Sequence, residues 1–173
     1  MEQKSIIINY LSTYNVKDLP KDEQLLIKEA EEATKKSYSP YSKYKVGAAV
    51  ALENGEIVSG ANQENSASPV SICAEQVTVA AALMRYPNSK ISKIAITSST
   101  DILLDDKNNA KSCNTCNGGD NGNPVSPCGM CRQFLSEIEN RQNSKLKVIL
   151  HNPKGKTFVF NSVDDLLPFS FSF

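Results

Sequence analysis

The 173-residue chain has no tryptophan, a single histidine and no excess of charge, with 19 basic and 19 acidic side chains. A net charge of zero argues against a polynucleotide partner, because neutralising a phosphate backbone calls for a basic face. The absent tryptophan weakens a base-stacking surface in the same direction. Long apolar runs are missing too. The N-terminal one is only Ile6, Ile7 and Ile8, too short for a signal-peptide core or a membrane span, so no membrane association is expected. Five cysteines are an odd number. Without an export signal they read as thiols rather than disulfides, which makes the cytoplasm the expected location. No repeat and no low-complexity tract occurs. Hydrophobic residues at 40% and charged residues at 22% describe an ordinary globular chain, long enough for one cored domain and short for two.

Residues 1–20 read as an N-terminal extension, with a candidate strand in "SIIINY", followed by one domain over 21–173. "KDEQLLIKEAEEATKK" (21–36) puts Leu26, Ala30 and Ala33 on one face, acids early and lysines late, which predicts a helix. "KVGAAVALENGEIVSG" sets two apolar runs around Asn54-Gly55, a hairpin signal. "CAEQVTVAAALMRY" predicts a helix whose buried face is Val77, Ala80, Ala81 and Met84. "SKIAITS" is a β-branched strand. The segment at about 99–125, rich in Asn, Asp and Gly, is too long for a plain connector and reads as an inserted loop. "SPCGMCRQFLSEIE" predicts a third helix, capped by Ser126 with Pro127 in its first turn and Cys131, Phe134, Leu135 and Ile138 on one face. "KLKVIL" and "KTFVF" are strands joined by "HNPKGK", and "VDDLL" is a short closing helix. This order predicts an α/β fold with the sheet covered on both faces.

Four of the five cysteines lie in "SCNTCNGGDNGNPVSPCGMC" (112–131), as two Cys-x-x-Cys pairs. Cys128 and Cys131 are close enough to share one zinc, and both open a helix, where the dipole favours the thiolate. Cys73 opens another helix, with Glu75 two residues on. Three protein ligands leave a tetrahedral zinc with an open position, the arrangement of a catalytic site, and a nearby non-ligand carboxylate can shuttle protons. Other readings compete. Cys128 and Cys131 could be free buried thiols, or could join Cys113 and Cys116 in a closed structural site. That closed site leaves Cys73 and Glu75 without a role. Two zincs are a further reading, with His151 assisting Cys113 and Cys116, although a lone histidine between strand and turn reads as a surface residue.

Cys-Ala-Glu followed by Pro-Cys-x-x-Cys resembles the zinc nucleoside deaminase signature in its three-cysteine form. "YSPYSKYKVGAAV" (38–50), "NQENSASPVSICAE" (62–75), "SPCGMCRQ" (126–133) and "DDLLPFSF" (164–171) are similar, in the same order, to small homotetrameric cytidine deaminases. The resemblance implies a three-layer α/β/α sandwich around a five-stranded mixed sheet. It implies one Zn²⁺ per subunit held by Cys73, Cys128 and Cys131, with Glu75 carrying protons while cytidine or deoxycytidine is hydrolysed to the uracil nucleoside and ammonia, a pyrimidine salvage step. Asn62, Glu64, Tyr44 and Ala74 would contact the nucleoside, joined by a neighbour's Phe171 in a homotetramer with shared sites.

Three positions depart from that pattern. Gln76 stands where these enzymes usually carry an Arg that offsets the charge of three thiolates, and Arg132 beside the third ligand is the remaining cation there. Ser68 replaces a frequent Tyr. The insertion with Cys113 and Cys116 has no counterpart. Blasticidin-type deaminases share "SPCGMCR" and also lack the Arg, but they do not keep the sugar-binding segment that stands here as "NQEN". A ribose-bearing substrate is therefore expected. Another aminopyrimidine nucleoside, or a zinc-stabilised scaffold without activity, is the alternative.

Overall fold

Side chains alternate across the central strands and divide the interior into two cores, as the two-residue repeat of a strand requires. This computed structural model describes residues 1–100 and 122–172. Cys113, Cys116 and most of the expected insertion lie outside the described residues. The strands are β1 (Leu11–Thr13), β2 (Tyr44–Leu52), β3 (Ile57–Ala61), β4 (Ile91–Thr100), β5 (Lys147–His151) and β6 (Thr157–Phe160). The helices are α1 (Lys21–Thr34), α2 (Ala74–Arg85) and α3 (Gly129–Gln142). The sheet order is β1-β6-β5-β4-β2-β3. Only β4 and β5 run parallel, and the connection between them contains α3.

One face of the sheet carries Ala48, Val50, Ile94, Ile96, Val148 and Leu150, packed with Ala74, Val79, Leu135 and Ile138 of α2 and α3. The opposite face carries Ala49, Ala95, Ile149 and Val159, packed with Leu26, Ile27 and Ala30 of α1. The result is the expected α/β/α sandwich around a mixed sheet, but with six strands instead of five. The sixth is β1, which pairs antiparallel with β6. It comes from the extension and lies at Leu11–Thr13, just after the segment "SIIINY". Tyr10 accompanies it, its ring 5.0 Å and 5.2 Å from those of Phe158 and Phe160.

Two helix details differ from expectation. The buried side of α2 is Ala74, Glu75, Thr78, Val79 and Ala82, whereas Ala80 and Ala81 are exposed and Met84 is 84% exposed. The run "VTVAAALM" is apolar on nearly every side, so its periodicity permits more than one burial face. Packing selects the side that closes on β2 and β3, where Thr78 Oγ1 donates to Ala48 O at 3.3 Å and Gly60 abuts Thr78. The cap of α3 is Cys128 rather than Ser126. The Ser126 hydroxyl instead accepts from Arg132 Nη2 at 2.9 Å.

Candidate metal centre and active site

The positive ends of α2 and α3 converge on three sulfurs. Cys73 and Cys128 are the N-caps of their helices, both with extended backbone, and neither side chain makes a capping hydrogen bond. Their thiols are thereby left for other work. Cys131, in the first turn of α3, is buried. All three Sγ atoms lie within 4.8 Å of one another. A tetrahedral zinc with bonds of about 2.3 Å sets its sulfurs about 3.8 Å apart, so a small contraction closes the set on the ion. Hydrogen bonding from Cys131 holds the Cys73 thiol at about 7, below its ordinary value, against burial and the charge of Glu75. Donating that bond, together with burial, pushes the Cys131 thiol up. Three thiols at this distance cannot all ionise without a cation among them, and the donor set fits zinc.

Glu75 is 4% exposed, and its burial pushes the carboxyl up from the ordinary range. It faces a cavity of about 330 Å³ that Asn62, Glu64, Cys73, Val125 and Ser126 also line. Ala74 and Ser68 belong to the same wall. A carboxyl whose pKa is raised by burial in an apolar pocket can accept and return a proton at modest cost.

The two residues expected to bind sugar also brace the protein. Asn62 Oδ1 accepts from Ser37 Oγ at 2.6 Å and from the Val46 N–H at 2.8 Å, while Nδ2 donates to Tyr44 O at 3.0 Å. Glu64 Oε2 accepts from the N–H groups of Tyr41 and Ser42 at 2.9 Å and 3.3 Å, and the Ser42 hydroxyl donates to Oε1. Burial alone would raise the Glu64 carboxyl, but these bonds outweigh it and the net shift is downward. Sequence reasoning missed Ser37 and Ser42. Both precede their partners by more than twenty positions, and no local spacing rule links them.

Tyr44 and Phe171 stand apart from the cavity wall of their own chain. The Tyr44 hydroxyl donates to Ser98 Oγ at 2.9 Å. Phe171 is 66% exposed, and its backbone makes two 2.8 Å bonds with the Gln133 amide. Gln76 is half-buried in the first turn of α2. The guanidinium of Arg132 donates to Pro127 O at 2.8 Å, Leu166 O at 3.1 Å and Ser126 Oγ.

His151, expected at the surface, is buried on the α1 side of the sheet. It shares that face with Ile149, two residues before it. Its Nδ1 bonds Thr157 Oγ1 at 2.8 Å and its Nε2 meets Glu31 Oε1 of α1 at 3.2 Å.

Three thiols within ligand distance of one another, beside a buried carboxyl that lines a cavity, are the donor set of a zinc site on an α/β/α scaffold. Residues 20–144 match the family described as the cytidine and deoxycytidylate deaminase zinc-binding region, and the chain belongs to that family. It is 33% identical over 151 residues to a cytidine deaminase of Halalkalibacterium halodurans, covering 87% of this chain and 95% of the relative. With a cytidine deaminase of Sporosarcina psychrophila it shares 34% identity, covering 87% and 92%. Its fold is similar to the crystal structure of cytidine deaminase from Burkholderia pseudomallei, with a TM-score of 0.65 and 31% identity over 85% of this chain and 97% of that one. The corresponding protein from Mycobacterium tuberculosis gives 0.60 and 26%, over 88% and 98%.

Proposed function

We propose that this protein hydrolyses cytidine or deoxycytidine to the uracil nucleoside and ammonia, with one zinc per subunit. The observation that carries this reading is the buried Glu75 carboxyl in a cavity shared with the three-thiol cluster and with Asn62 and Glu64. Cys73, Cys128 and Cys131 hold the ion. Zinc in that place supplies an open coordination position and the Lewis acidity that brings the pKa of water near neutrality.

Glu75 takes a proton from the attacking water and delivers it to ring N3 as C4 becomes tetrahedral. It then carries the second proton to the departing amine, so water and the nucleoside become the uracil nucleoside and ammonia. Asn62 keeps one amide N–H for a sugar hydroxyl, because among the described residues only one of its two amide hydrogens is used. Glu64 is held anionic by its hydrogen bonds and accepts from the sugar.

Gln76 brings no charge, and all three nitrogens of Arg132 donate to Pro127, Leu166 and Ser126. The two helix N-termini, each equivalent to about half a positive charge, offset the excess negative charge of three thiolates on a divalent ion.

The assembly in this reading is a homotetramer, with Phe171 completing a neighbour's site. Its exposure and its absence from the lining of the cavity support this, as does the exposed side of α2 with Ala80, Ala81 and Met84. Among the described residues no helix is long and apolar enough to cross a membrane. The three described cysteines are free thiols, which suits a reducing cytoplasm and a role in pyrimidine salvage.

The test is turnover of cytidine and deoxycytidine by the zinc-loaded protein, followed by ultraviolet absorbance. Glu75→Gln is expected to lower kcat about a thousandfold with zinc retained, in line with loss of a general acid–base group. Cys73→Ala is expected to lose zinc and activity together. Zinc-loaded wild-type protein that turns over neither substrate would overturn the reading.

A further inference from the structure

Val125 and Ser126 form part of the cavity wall, yet no regular element holds them. From Asn123 to Pro127 the chain has neither strand nor helix, so its position depends on a few side-chain and backbone contacts. Arg132 secures the end nearest the zinc ligands through Pro127 O and Ser126 Oγ.

The other end rests on the turn between β5 and β6. The Lys156 N–H donates to Gly122 O at 2.8 Å, Asn152 Nδ2 donates to Asn123 O at 3.2 Å, and Lys156 Nζ reaches Asn123 Oδ1 at 3.3 Å. That turn is itself well fixed. Asn152 and Lys156 pair through the Asn152 N–H at 3.0 Å, and Asn152 Oδ1 accepts from the Lys154 N–H at 2.9 Å. His151 and Thr157 bond across its base, and Lys156 lies 5.5 Å over the Tyr14 ring of the extension.

The approach is possible because residue 155 has no side chain. A Cβ there would stand 2.1 Å from Gly122 O and 2.8 Å from Gly122 C. Both are backbone atoms, so the segment at 122 would have to move. We infer that the β5–β6 turn, through Gly155 and Asn152, positions the Val125–Ser126 wall of the substrate cavity. The turn lies outside residues 20–144, the part that matches the family. This inference rests on the deaminase reading for its kinetic readout only.

The experiment compares zinc-loaded wild type with Gly155→Ala and Asn152→Asp. The second variant keeps the acceptor for Lys154 and removes the donor to Asn123. Displacing a wall that binds substrate and transition state alike is expected to raise KM about tenfold in Gly155→Ala, with kcat within about twofold. Asn152→Asp is expected to raise KM about threefold, by loss of one hydrogen bond. Zinc release to a chromophoric chelator should stay at the wild-type rate, because α3 holds Cys128 and Cys131 independently.

Hydrogen exchange over residues 122–128, read by mass spectrometry, should quicken in both variants and needs no substrate. Unchanged KM and unchanged exchange in Asn152→Asp overturn the inference. So does a parallel fall of kcat, zinc retention and thermal midpoint, the signature of general damage. A wild type without turnover sinks the deaminase reading instead, and the exchange measurement then decides the positioning role alone.

Discussion

At the scale of single residues, position along an element explains which side chains could be recognised from sequence. Cys73 and Cys128 were legible because each lies at the start of a predicted helix, and the structure makes both of them N-caps. Glu75 followed from the Cys-Ala-Glu spacing. The contacts of Asn62 and Glu64 with Ser37 and Ser42 were not legible, since they join a loop and a strand end far apart in sequence. His151 was misread for the same reason: its burial depends on α1 covering that face of the sheet, from which Glu31 reaches it at 3.2 Å. Burial lowers its pKa from the ordinary 6.5, against the opposing pull of Glu31. Below that value the unfolded chain binds a proton that the folded protein refuses, so stability falls as pH drops from 6.5 towards the lower folded value. In zinc-loaded protein the thermal midpoint should decline between pH 6.5 and about pH 5.5, and His151→Gln should flatten that slope. An identical slope in the variant would show that other groups govern the acid side.

At the scale of elements, the close seating of α1 on the sheet depends on small residues. Ala49 and Ala95 face the helix, and at Gly47 an added Cβ would lie 2.1 Å from Ala30 O and 2.8 Å from Thr34 N. Backbone atoms in the middle of a packed helix cannot yield without shifting the helix. Gly47→Ala is therefore expected to cost about 2–3 kcal/mol in urea denaturation, the upper part of the overpacking range. A loss below about 0.5 kcal/mol, the level of a neutral surface change, would show that α1 adjusts freely. The helices and the strand alternation were readable from periodicity. The rotation of α2 was not, because an apolar run on all sides gives no preferred stripe. Likewise β1, three residues long, is too short for periodicity to mark and exists because β6 offers it an edge.

For the whole molecule, the proposed assembly needs a surface to close on, and α2 offers one. Ala80, Ala81 and Met84 are exposed along it, and an interface there would take them out of water. A charge placed there should be far more harmful to assembly than to folding. If α2 lies in the interface of the proposed tetramer, Met84→Glu is expected to lower the mass measured by light scattering to that of smaller species. Zinc should remain bound, and on the proposed sharing of Phe171 between subunits activity should fall with assembly. A variant that keeps the wild-type mass would remove α2 from the interface.

Sequence by itself determined the α/β class, the helix starts that carry the thiols and the acid beside them, since these depend on spacings of one to four residues. Tertiary structure alone decided which side of α2 faces inward, that His151 lies across the sheet from the thiols, and that the extension adds a sixth strand. It also decided that the turn at Asn152–Lys156 reaches the cavity wall through Gly122 and Asn123. Each of these rests on contacts between segments distant along the chain, and only the packing of the sheet brings those segments together.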